Sequence, residues 1–227
     1  MSMANQIYRL IDLTCLKETV TRLEVEELAT VAQHHNMAAI CVWPKHLAYI
    51  PKTCTLTKAT VVNFPSGNQE INQVVSEIND INANFPGTEI DYVFNYQAFL
   101  RGDSHQAIQE CQQICALCHS LGLKIKVIVE TGAFANLEQL AQAVEAIISC
   151  GADMLKTSTG KITTGATFAA VEVFCQAILK KNLPCGIKVS GGISSMRQAA
   201  QYLQLIAKHL PHMHDIRFGC SQMVNDL

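Results

Sequence analysis

Charge is sparse in this 227-residue chain, and nowhere is it gathered into a run. Charged residues are 16% of the total and the formal net charge is −2. Without a basic segment, a nucleic-acid-binding surface is not expected. No uninterrupted apolar stretch approaches the roughly 20 residues of a membrane-spanning helix, so no membrane partner is expected. The opening Met-Ser-Met-Ala-Asn-Gln lacks the basic and apolar regions of a signal peptide. Linkers, low-complexity stretches and composition shifts are also missing, so residues 1–227 are expected to form one domain. A hydrophobic content of 49% excludes disorder. Cysteine, by contrast, is plentiful. Ten cysteines lie mostly within apolar periodic segments, which reads as reduced core thiols of a cytoplasmic protein.

Short apolar runs alternate with helical patterns along the whole chain. The runs lie near Tyr8–Leu13, Ala38–Trp43, Ala59–Phe64, Glu89–Phe94, Lys124–Glu130, Asp153–Lys156, Gly186–Ser190 and Asp215–Gly219. Between them, stripes such as Ile71, Val74, Val75 and Ile78, or Leu137, Leu140, Ala141 and Val144, repeat at helical spacing. Thr21 and Glu24 form a capping-box pair, and Asn136 with Gly151 brackets another helix. Strands that alternate with helices must pair in parallel, because each crossover returns the chain to the same end of the sheet. Eight such units in this length predict a (β/α)₈ barrel with its site at the C-terminal ends of the strands. A doubly wound open sheet competes, but no Gly-x-Gly-x-x-Gly follows the first strand.

Residues 151–161, Gly-Ala-Asp-Met-Leu-Lys-Thr-Ser-Thr-Gly-Lys, run an apolar strand directly into Lys156. A lysine is rarely buried unless it is paired or chemically employed. At the end of a buried strand it can lose its proton and attack a carbonyl. An unperturbed lysine is neutral in only about one molecule in 2,500 at pH 7, so such a role needs a depressed pKa. Lys188, on the next strand, supplies a like charge that pushes in that direction. Asp12 and Asp91 are the carboxylates expected beside them, all placed at strand C-terminal ends. Asp91 alternates against Ile90 and Tyr92 and should face the barrel interior. Ion pairing of both lysines with Asp12 and Asp91 is the purely structural reading, and the two readings are compatible.

Ser190-Gly191-Gly192 after the seventh strand and Gly219-Cys220-Ser221 after the eighth add a phosphate signal. Backbone N–H groups at glycine turns and helix N-termini bind anions, and barrels use the loops after strands seven and eight for this purpose.

These blocks together resemble deoxyribose-phosphate aldolase, a family of class I Schiff-base aldolases in deoxyribonucleoside breakdown. The resemblance runs from Ile11 to Ser221. It rests on Ile-Asp-Leu-Thr-Cys-Leu-Lys (11–17), Ala-Ala-Ile-Cys-Val-Trp-Pro (38–44), Val-Asn-Phe-Pro-Ser-Gly-Asn (62–68), Glu-Ile-Asp-Tyr-Val-Phe (89–94) and Leu-Lys-Ile-Lys-Val-Ile-Val-Glu-Thr-Gly (123–132). The block at 151–161, Gly-Ile-Lys-Val-Ser-Gly-Gly-Ile (186–193) and Arg-Phe-Gly (217–219) complete it. The resemblance implies that Lys156 is the Schiff-base lysine and Lys188 the second lysine that depresses its pKa. It makes Asp91 part of the proton relay and Asp12 a supporting carboxylate. Thr159, Gly160, Lys161, Gly191, Gly192, Gly219 and Ser221 match the sugar-phosphate pocket, and Cys41 is expected to line the site. Neither metal nor other cofactor is implied, because the iminium does the polarising. The implied partners are a small sugar phosphate and an aldehyde, and a homodimer is the assembly entertained.

The chain departs from the family in three places. It ends at Leu227 with no tyrosine beyond Tyr202, where the family often has a tail tyrosine that assists enamine protonation. Gln222 stands where a second serine is usual, and Trp43 is bulkier than usual beside Cys41. Cys111, Cys115 and Cys118 have the C-x₃-C-x₂-C spacing of an iron–sulfur motif, but they fall mid-helix in line with Ile108 and read as core. His34-His35 and His212-x-His214 read as surface residues. The role of Glu130 is open. A related aldolase with a transaldolase-like donor, or a non-catalytic sugar-phosphate binder, are the competing functions.

Overall fold

The apolar runs become eight parallel strands because crossovers return each one to the same edge. In the computed structural model, which describes residues 3–213 and 215–221, they are β1 (Ile11–Cys15), β2 (Ala39–Val42), β3 (Thr57–Val62), β4 (Glu89–Val93), β5 (Ile125–Ile128), β6 (Met154–Lys156), β7 (Gly186–Ser190) and β8 (Ile216–Cys220). They close in order, with β8 hydrogen-bonded to β1, into a barrel. The open-sheet alternative is excluded by that closure. Around it lie α1 (Met3–Tyr8), α2 (Arg22–His34), α3 (Ile71–Asn84), α4 (Tyr96–Leu100), α5 (Ser104–Ser120), α6 (Leu137–Ser149), α7 (Phe168–Lys181) and α8 (Met196–His209). Among the described residues, no helix is long and apolar enough to cross a membrane.

Two elements differ from expectation. The run Tyr8–Leu13 spans the end of α1 and the start of β1, since Tyr8 is helical and both segments bury apolar side chains. The crossover between β2 and β3 is a 3₁₀ helix, Pro44–Tyr49, not an α-helix. Pro44 and Pro51 bracket that segment and leave too little uninterrupted chain for α-turns. Elsewhere the local signals hold. Thr21 and Glu24 form the reciprocal capping box, Asn136 caps α6, and Gly151 turns the chain with φ +93°.

Side chains alternate across the barrel wall, as a strand's period of two requires. Ile40, Val42, Ile90, Tyr92, Ile125, Val127, Leu155, Ile187, Val189 and Phe218 point outward into the main core beneath the helices. Cys111, Cys115 and Cys118 are fully buried in the same layer on α5, so they are packing residues. The interior is divided. Toward β2 and β3 it is apolar, with Ala39, Cys41, Ala59, Val61, Val93 and Ile128 in contact. Toward β4 to β8 and β1 it is filled with charge.

Candidate active site

Six strands, β1 and β4 to β8, send charged side chains inward. Asp91 on β4 is opposite Lys126 on β5, and Lys156 ending β6 is opposite Lys188 on β7. The carboxylate of Asp91 is the hub. Its Oδ1 accepts from Lys126 Nζ at 2.8 Å, and its Oδ2 accepts from Lys156 at 2.7 Å and Lys188 at 2.8 Å. Lys188 also donates to Asp12 Oδ2 at 2.5 Å. The expectation that all these groups sit at strand C-terminal ends is corrected here. Asp12 is the second residue of β1, and Asp91 and Lys188 are third in their five-residue strands, so only Lys156 ends its strand. The ionic layer therefore lies at mid-barrel, with Lys156 above it.

The three lysines are equally buried but unequally supported. Burial disfavours the charge of Lys156, and the Lys188 ammonium adds to that, so its pKa falls despite the pull of Asp91. Burial disfavours the charge of Lys188 too, but Asp12 and Asp91 overcome it and hold Lys188 protonated well above the usual lysine range. Lys126 is likewise raised, chiefly by Asp91 against its own burial. Burial alone would push the Asp91 carboxyl up, but Lys126, Lys156 and Lys188 hold it well below the usual carboxylate range. Thus Lys156 is the one lysine of the three poised to be a neutral amine, and its neighbours remain charged.

Above Lys156 opens a cavity of about 310 Å³. Its wall includes Lys156, Thr159, Gly160, Lys161, Gly191, Gly219 and Ser221 among the expected residues. Cys41 and Gly192 are not in that wall. Cys41 is sealed in the apolar half of the interior, where burial pushes its thiol up. Asp12 and Asp91 lie beneath the cavity and reach it only through the lysines. Trp43 packs edge-to-face on Phe64 at 5.2 Å and does not border the cavity. A wider cavity of about 880 Å³ sits at the opposite end, beside Lys124, Asp153, Gly186 and Asp215, and does not include Lys156.

The cavity's loops are built by close backbone contacts. Gly191 has φ +87°, and a Cβ there would meet Gly165 Cα and Ser158 Cβ at 3.1 Å. Ala166 N–H donates to the Gly191 carbonyl at 3.0 Å, and Ser190 Oγ donates to the Ser158 carbonyl at 2.6 Å. Lys161 Nζ donates to the Leu16 carbonyl at 3.0 Å, so it straps the β6–α7 loop to the β1–α2 loop.

A family model described as DeoC/LacD family aldolase matches residues 7–208. The chain belongs to the DeoC/LacD aldolase family. It is 35% identical over 228 residues to a deoxyribose-phosphate aldolase of Agrobacterium fabrum, covering 96% of this chain and 87% of that one. A solved structure titled QR15, an aldolase, is 28% identical with a TM-score of 0.81, covering 95% and 91% of the two chains. The fold is also that of a putative deoxyribose-phosphate aldolase from Coccidioides immitis, at 23% identity, a TM-score of 0.85 and coverage of 96% and 83%.

In this aldolase, Glu130 stands near the site but not as a lysine's ion-pair partner. It occupies a left-handed position, φ +58°, and accepts from Thr159 N–H at 3.2 Å and from the Thr159 hydroxyl. Burial raises its pKa against those donors. It anchors the loop that carries Thr159, Gly160 and Lys161. Sequence reasoning missed Lys126, Glu89 and Arg217, although Lys126 alternates with Ile125 and Val127 and the rule applied to Asp91 would have turned it inward. It also missed Thr14, Lys17 and Ser158 in the cavity wall, and the Ser158 hydroxyl has no hydrogen-bond partner among the described residues. Gln222 and His214 lie outside the described residues, as does the segment up to Leu227.

Proposed function

We propose that this aldolase reversibly cleaves 2-deoxy-D-ribose 5-phosphate to D-glyceraldehyde 3-phosphate and acetaldehyde through a Schiff base on Lys156. The observation that carries this reading is a lysine of lowered pKa in the wall of a small cavity, its Nζ 2.7 Å from Asp91 Oδ2. The cavity is at the small end of the range of ligand pockets, which suits a five-carbon phosphate.

The neutral amine of Lys156 attacks the C1 aldehyde of the open-chain sugar, and loss of water gives an iminium. The C3 hydroxyl gives up its proton, the C2–C3 bond breaks, and its electron pair moves into the iminium to form an enamine. Glyceraldehyde 3-phosphate leaves with a new C3 carbonyl. Asp91, in contact with both Lys156 and Lys188, relays protons with water so that C2 of the enamine is protonated. Water then hydrolyses the second iminium and frees acetaldehyde and Lys156. Asp12 acts by holding Lys188 charged. Thr159, Gly160, Lys161, Gly191, Gly219 and Ser221 receive the phosphate, Lys161 exchanging the Leu16 carbonyl for it. All ten cysteines are free, which supports the cytoplasmic reading.

The test is trapping with borohydride in the presence of acetaldehyde or deoxyribose 5-phosphate, followed by mass mapping. The expected adduct is on the peptide containing Lys156. No adduct there sinks the mechanism, and an adduct with dihydroxyacetone but not acetaldehyde moves the enzyme to a transaldolase-like donor.

A further inference from the structure

The charged groups beneath Lys156 form a closed circuit. Starting from Asp91, Lys126 is 2.8 Å away, and Lys126 lies 2.6 Å from Glu89 Oε2, out of line for a hydrogen bond. Glu89 Oε1 faces Arg217 Nη2 at 3.8 Å, and Arg217 Nε faces Asp12 Oδ1 at 3.8 Å. Asp12 meets Lys188 at 2.5 Å, and Lys188 returns to Asp91 at 2.8 Å. The sign alternates at every step around this ring of six side chains. Three carboxylates face three cations, so the ring is neutral by itself. Lys156 hangs from Asp91 outside the circuit as a seventh, unmatched group.

We propose that Glu89 and Arg217 are positioning residues that close this neutral ring and thereby leave Lys156 as the odd cation, which favours its neutral, nucleophilic form. Neither residue borders the cavity, so neither touches substrate. Their effect is electrostatic and acts through the ring. If the ring carried one more negative charge, the Lys156 ammonium would be matched and its proton held. If the ring carried one more positive charge, that proton would be expelled more readily. The inference rests on the Schiff-base reading of Lys156.

Among the described residues, the remaining groups facing Lys156 are few. From β2 comes the Cys41 thiol, from the end of β5 the Glu130 carboxyl, and β3 contributes only Ala59 and Val61. Cys41 has its thiol pKa raised by burial and stays neutral. Glu130 is committed to Thr159. Changes at Glu89 and Arg217 should therefore be read out at Lys156 with little buffering by other titrations.

The experiment measures the rate at which acetaldehyde with cyanoborohydride alkylates Lys156, by mass spectrometry, as a function of pH. Glu89→Gln leaves the ring at +1, and the midpoint should move to lower pH by about half a unit or more. At a pH below both midpoints that is roughly a threefold larger neutral fraction. Arg217→Gln leaves the ring at −1 and should move the midpoint upward by a similar amount. The double variant should return close to the original midpoint, and Arg217→Lys should stay there. General damage to the barrel slows all variants but does not produce shifts of opposite sign. If Arg217→Gln fails to fold, the contrast between Glu89→Gln and Arg217→Lys carries the same test. Shifts in one common direction, or no shift, overturn the proposal. Absence of any label on Lys156 in the unaltered enzyme overturns the Schiff-base reading instead.

Discussion

Lys156 and Lys188 are register partners on adjacent strands and share one oxygen of Asp91, yet their proton affinities are displaced in opposite directions. The difference is one carboxylate. Lys188 also holds Asp12, whereas Lys156 has only its share of Asp91 and opens onto the cavity.

That asymmetry predicts different fates for the two lysines. Lys156→Met should abolish cleavage, by at least about a thousandfold, while leaving stability near or slightly above its original value, because it removes an unmatched buried cation. Lys188→Met takes from Asp12 the cation hydrogen-bonded to its carboxylate and from Asp91 one of three, and should cost about 3–5 kcal/mol. Urea unfolding and a coupled assay for glyceraldehyde 3-phosphate distinguish them. Equal destabilisation by both would contradict the charge assignment.

The acid limb of stability should belong largely to Asp91 and Asp12. Burial pushes both carboxyls up, but the neighbouring lysines hold them below the ordinary aspartate range. Their contribution is therefore present above the unfolded-state pKa of about 3.9 and is lost as pH falls toward the folded values. Asp91→Asn should be much less stable at pH 7 but lose less on going from pH 4 to pH 2. Unfolding curves across that interval, by circular dichroism, decide the matter.

Lys161 should govern selectivity for the phosphate. Lys161→Met should lower kcat/KM for deoxyribose 5-phosphate by about a hundredfold, at roughly 1.4 kcal/mol per tenfold step, and leave unphosphorylated deoxyribose almost unaffected. A parallel loss on both substrates would assign Lys161 to holding the loop through Leu16.

Glu130 should act through Thr159. Glu130→Ala removes the acceptor for a buried N–H and hydroxyl, and should raise KM for the phosphorylated substrate about tenfold. Labelling of Lys156 by acetaldehyde alone should change little, since that small aldehyde does not use the loop. A comparable fall in the acetaldehyde rate would place Glu130 in the chemistry.

Gly165 should tolerate no side chain. A Cβ there collides with the Gly191 backbone, so Gly165→Ala must open the β6–α7 loop away from the β7–α8 loop. The expected result is loss of phosphate-substrate turnover with the barrel still folded, seen as intact far-ultraviolet circular dichroism. Wild-type kinetics would show the contact to be incidental.

Much of this protein is determined locally. The alternation around Asp91 set which way it faces, the run into Lys156 marked the end of β6, and Thr21, Asn136 and Gly151 fixed helix ends, because side-chain period and capping depend only on near neighbours. The blocks around Lys156, Lys188 and Gly191 also carried the family resemblance. Tertiary structure alone decided the depth of Asp12, the exclusion of Cys41 from the cavity wall, and the circuit through Lys126, Glu89 and Arg217. Lys188 and Asp12 meet across 176 residues, and Arg217 reaches Glu89 across the barrel's interior. Which inward charges become neighbours depends on the stagger of eight strands and on the closure of β8 onto β1. Strand period fixes a face. Only closure fixes a partner.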